Sequence, residues 1–112
     1  MGYTHEFGII NKLYDVNTDK YEPEKYNCIS IPGEDIEPIF SVCRNMKTYW
    51  HNRNTPGFGL VECGITLIPP ESLSNFRESV LKACNKTDSV LELSELILRA
   101  TKLNKYLIHF GI

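Results

Sequence analysis

Leu60-Val61-Glu62-Cys63-Gly64-Ile65-Thr66-Leu67-Ile68 (LVECGITLI) decides how this chain is read, because it alternates cleanly. Val61, Cys63, Ile65 and Leu67 fall on one side, Glu62, Gly64 and Thr66 on the other. A period of two is the signature of a strand with one buried face and one wet or partly covered face. Such a strand suits an antiparallel sheet with helices packed on one side. Pro69-Pro70-Glu71 stops the strand and opens a helix that carries Leu73, Phe76, Val80, Leu81 and Cys84. After a short turn at 85–88, Ser89 and Glu92 stand at capping-box spacing. The helix they open places Val90, Leu93, Leu96, Ile97, Ala100 and Leu103 inside.

Upstream, Ile36, Ile39, Phe40, Cys43 and Met46 or Lys47 recur at helical spacing, and Trp50 falls on the same stripe. Glu34, Asp35 and Glu37 occupy the start of that helix, where carboxylates meet its positive end. Pro38 fits if it lies in the first turn, which puts the cap near Asp35. The rest of YWHNRNTPGFG (residues 49–59) then reads as a helix exit and turn. Three further strands are expected at 3–10, 26–31 and 106–112. The order β-β-α-β-α-α-β makes an α+β fold: a mostly antiparallel sheet of about four strands with about three helices packed on it. A chain of 112 residues has the size of a single domain, 1–112.

Composition is that of an ordinary globular protein, with 42% hydrophobic and 23% charged residues. The formal charge of −2 argues against a nucleic-acid binder, which carries a basic excess. Residues 1–62 hold nine acids against six bases, and residues 63–112 five against six. The acids gather at 15–24 (Asp15, Asp19, Glu22, Glu24) and at 34–37 (Glu34, Asp35, Glu37). No apolar run reaches the ~18 residues of a membrane span, and the start lacks a signal-peptide pattern. A cytoplasmic protein is expected. Cys28, Cys43, Cys63 and Cys84 show no C-x-x-C spacing and read as free thiols in a reducing compartment.

Chemistry-bearing motifs are few. The start of a calcium loop at Asp15-Val16-Asn17-Thr18-Asp19 fails at Lys20, where Gly is needed, and at Tyr26, where a bidentate Glu is needed. No phosphate loop, dinucleotide fingerprint, nucleophile elbow or zinc-protease helix occurs, so no cofactor and no metal are expected. His5 lies among Tyr3, Phe7 and Ile9 and reads as a hydrogen-bonded, semi-buried histidine. His109 lies opposite Tyr106, Ile108 and Phe110 and reads as half exposed. The ends echo one another, HEFGI at 5–9 and HFGI at 109–112, so pairing of the terminal strands would bring the two histidines close. His51 and Arg53 are the one pairing suited to phosphodiester chemistry, through proton transfer and charge stabilisation. The same His51 and Arg53, with Phe58, are equally the residue types of a contact surface.

The stretch HNRNTPGFGLVECGITLIPPESL (51–73), the size and the acidic first half resemble the small bacterial immunity proteins encoded beside contact-dependent and other polymorphic toxins. The resemblance implies a non-enzymatic cytoplasmic protein that binds a cognate toxin domain and blocks it. It transfers no catalytic residue. An acidic face would meet the basic groove of a nuclease with steered association. Candidate contact residues are Asp15, Asp19, Glu22, Glu24, Glu34, Asp35, Glu37, His51, Arg53 and Phe58. The competing readings are a small hydrolase or nucleotide-binding domain using His51 and Arg53, and an adaptor subunit of another assembly.

Overall fold

The computed structural model describes residues 4–10, 26–50, 55–61, 64–83 and 87–111. Its elements are β1 (Thr4–Ile10), β2 (Ile29–Pro32), α1 (Gly33–Val42), β3 (Lys47–Trp50), β4 (Pro56–Phe58), β5 (Gly64–Ile68), α2 (Pro70–Ala83), α3 (Asp88–Leu103) and β6 (Tyr106–Gly111). The strands form one sheet in the order β2-β1-β6-β5-β3-β4, and every pairing is antiparallel. The α+β class and three helices agree with the sequence reading, but the sheet has six strands where about four were expected. The added strands are β3 and β4. Trp50 therefore belongs to a strand and not to the helix stripe, and α1 stops at Val42.

All three helices pack on the face of the sheet that carries Phe7, Ile31, Ile68 and Leu107. They contribute Ile36, Ile39, Leu73, Phe76, Val80, Val90, Leu93, Ile97 and Ala100 to the core there. Burying apolar side chains of this size supplies the main driving force, roughly 1.5–3 kcal/mol each. The sequence put Ile65 and Leu67 on the buried face and Gly64 and Thr66 on a wet or partly covered one. The helices instead cover the face of Gly64, Thr66 and Ile68, where Thr66 is wholly buried. The Ile65 and Leu67 face is buried as well, with Ile10, Ile108 and Phe110, and Tyr26, Cys28, Tyr49 and Tyr106 pack against it. Gly8 lies on that face, where a Cβ would come within 2.7 Å of Cys28 Sγ and 2.8 Å of the Tyr26 carbonyl oxygen. Only the bare glycine lets the 26–28 segment pass so close.

The helix ends depart from the capping read in the sequence. α1 has Pro32 as its N-cap, without a side-chain cap bond, so the cap is not near Asp35. Pro38 then lies in the second turn rather than the first, where it withholds a helical hydrogen bond from the Glu34 carbonyl. For α3 the cap is Thr87, not Ser89. Its hydroxyl accepts the Val90 N–H at 3.3 Å and donates to Asp35 Oδ2 at 3.1 Å, tying α1 to α3. α3 ends on Asn104 in the left-handed conformation, with the Lys105 N–H reaching back to the Ala100 carbonyl at 3.0 Å. Leu103 and Leu81, expected inside, are exposed at 51% and 38%.

Candidate functional site: an aromatic pocket backed by a buried histidine pair

The sheet register brings two chemistry-bearing segments together. On the helix-covered face one rung reads Ile29–Phe7–His109–Thr66–Trp50 across β2, β1, β6, β5 and β3. The neighbouring rung reads Ile31–His5–Gly111–Gly64. His5 thus sits diagonally beside His109, with glycines in place of side chains on β6 and β5. His5 Nδ1 lies 2.7 Å from His109 Nε2, and His109 Nδ1 lies 3.1 Å from Thr66 Oγ1. Thr66 Oγ1 in turn accepts the Val61 N–H at 3.0 Å. His5, His109 and Thr66 are all 0% exposed, so His109 is sealed and not half exposed as its place opposite Tyr106, Ile108 and Phe110 suggested.

Each of these ring contacts holds one hydrogen, so two neutral imidazoles complete the chain in either direction. In one, His5 Nδ1–H donates to His109 Nε2 and His109 Nδ1–H donates to Thr66. In the other, the Thr66 hydroxyl donates to His109, which donates to His5. Protonating both rings would set two N–H groups face to face. Burial pushes both imidazoles below their ordinary value of 6.5, His109 well below it, and the neighbouring His5 adds to the effect at His109. The rings are further held by packing: His5 and His109 stack at 4.9 Å, His109 and Phe7 at 4.8 Å, and Phe40 meets His5 edge-on at 5.4 Å.

Beside this sealed chain lies an open pocket of about 420 Å³, lined by Phe40, Arg44, Trp50, Phe58, Gly59, Leu60 and Val61. Three of its walls rest on the histidine chain: Phe40 on His5, Val61 through its N–H on Thr66, and Trp50 as the rung neighbour of Thr66. The β3–β4 pair supplies the outer wall. Trp50 Nε1 donates to the Gly59 carbonyl at 3.1 Å, and Thr48 Oγ1 donates to the same oxygen at 2.7 Å. The indole lies against Gly57, where a Cβ would stand 2.7 Å from Trp50 Cδ1. Phe58 borders the pocket from β4 and is 63% exposed.

The sequence-derived contact residues divide three ways. Glu34 and Glu37 are exposed on α1, one helical turn apart, and Glu37 stands one turn before Phe40. Asp35 is half-buried and accepts the Thr87 hydrogen bond, which gives it a structural task. Phe58 lines the pocket. Asp15, Asp19, Glu22, Glu24, His51 and Arg53 lie outside the described residues, as do Cys63 and Cys84. Arg44 and Trp50 were not singled out as pocket residues by sequence, because Trp50 fitted the helix stripe. Cys43 is buried, and burial raises its thiol pKa, with a smaller opposing pull from a backbone hydrogen bond of Leu60. Among the described residues no group of three or more His, Cys, Asp or Glu is placed to hold a metal ion. No helix among them is long and apolar enough to cross a membrane. No known family, curated protein or solved structure matches this chain.

Proposed function

We propose that this chain is a small partner-binding protein of the immunity type, which holds and neutralises a cognate, basic toxin domain in the cytoplasm of its bacterial producer. The observation that carries the reading is the exposed stripe Glu34–Glu37, which runs along α1 into the Phe40, Trp50 and Phe58 pocket. Charges on a rim speed association, and an aromatic anchor beside them slows release. A catalytic reading draws no support from the described histidines, since His5 and His109 have no exposed surface on which to meet a substrate.

The test is co-expression with the toxic C-terminal domain encoded beside this gene. The chain is expected to protect the cell and to co-purify with that domain as a salt-sensitive complex. The double reversal Glu34→Lys, Glu37→Lys should slow association at low salt, and Phe58→Ala should speed dissociation. A neighbouring gene with no toxic product, or protection that the double reversal leaves untouched at every salt concentration, would sink the proposal.

A further inference from the structure

The pocket walls show how selective their chemistry is. The Gly59 carbonyl already accepts two hydrogen bonds, from Thr48 and Trp50. The Gly59 N–H donates to the Met46 carbonyl at 2.8 Å, and the Val61 N–H donates to Thr66. The Leu60 backbone hydrogen bond goes to Cys43. These wall donors are therefore spent inside the protein, and a ligand read by its hydrogen-bonding edge, such as a sugar or a neutral nucleobase, finds little to pair with. What the walls do offer is the rings of Phe40 and Trp50 and the exposed residue Arg44, whose guanidinium is always charged. Among the described residues no ion pair engages Arg44.

We infer that this pocket is a binding site for a small planar organic acid, an aromatic ring bearing a carboxylate or phosphate. The ring packs between Phe40 and Trp50, and the acid group pairs with Arg44. The volume of about 420 Å³ lies within the roughly 300–1,000 Å³ of small-molecule sites. Both rings are pre-set: Phe40 by its edge contact with His5, and Trp50 by its bond to Gly59 and its seat on Gly57. A site whose rings are fixed in advance spends little ordering entropy on binding.

Trp50 is the only tryptophan, so its emission reports on the pocket directly. The full chain, without any partner, is titrated with phenylacetate and with phenyl phosphate, and in parallel with the neutral phenylacetamide. At least one acid is expected to give a saturable change, with about tenfold or greater preference over the amide. Arg44→Gln should abolish that preference, and Arg44→Lys should retain part of it. Arg44 is exposed, so these variants fold, and unchanged melting curves verify it. Equal affinity for acid and amide, a preference that survives Arg44→Gln, or no saturable change up to about 10 mM would each overturn the inference. No toxin domain enters this experiment, so its failure and that of the partner reading remain separate.

Discussion

Two neighbouring regions invert the usual expectation about which side chains face water. The residues best equipped for proton chemistry, His5, His109 and Thr66, are wholly enclosed, while a few ångströms along the same rung the aromatic residues open to solvent. A histidine pair would ordinarily be taken as the site and a Phe–Trp cluster as core. Here the imidazoles bond to one another inside the sheet, and the rings they support make the surface. Residue type alone thus mislabels both regions. Exposure and the destination of each hydrogen bond label them correctly.

The comparison breaks most sharply at His109. His109→Ala should cost about 4 kcal/mol in urea unfolding, from the cavity beside Phe7 and from leaving Thr66 and His5 short of a partner. A loss under about 1 kcal/mol would mean that the chain of hydrogen bonds contributes little.

Acidification strikes the same region without mutation. Both folded-state values lie below 6.5, so the unfolded chain binds protons that the native one refuses. The stability carried by the pair is complete above pH 6.5 and is lost as pH falls from 6.5 through the folded values. The slope approaches about 1.4 kcal/mol per pH unit for each histidine, or roughly 2.7 for both. Urea melts at successive pH values should show it, and His109→Ala should halve it. An unchanged slope in that variant would assign the acid sensitivity elsewhere.

On the open side the effects shrink. Gly57→Ala should cost about 1–2 kcal/mol by displacing the Trp50 ring, with a shift in tryptophan emission as the direct signature. Phe58→Ala should change stability by no more than about 0.5 kcal/mol, as for a surface side chain, while it weakens binding. A large stability loss at Phe58 would make it core and erase the contrast.

Much of the frame was legible in the sequence. The apolar stripes of α2 and α3 are strong periodic signals that the packing obeys. The alternation through 64–68 identified a strand but not the face that the helices cover, since Thr66 and Ile68 lie beneath them. The sequence raised pairing of the terminal strands only as a condition for bringing His5 and His109 together, and β1–β6 pairing meets that condition. What failed did so for identifiable reasons. Lys47–Trp50 is only four residues long, too short for its own period to overrule the helical one before it. Pro56 and Gly57 looked like turn residues, yet a three-residue edge strand tolerates proline because its outer side needs no donor. For His109 the parity was right and the exposure wrong. Alternation says which residues share a face, but which face the helices cover is settled by packing between distant segments.

The contact between His5 and His109 spans 104 residues of sequence. Its two strands are neighbours near the middle of the sheet, although they lie at opposite ends of the described chain. A ribosome therefore releases β1 long before its partner exists, and a large loop must close before that pairing repays its entropy. Until β6 arrives, β1 lacks one of its two neighbours, and the pocket lacks the imidazole chain that steadies its walls. The histidine pair thus works as a completion check, so truncation within β6 should leave a chain that neither folds nor binds.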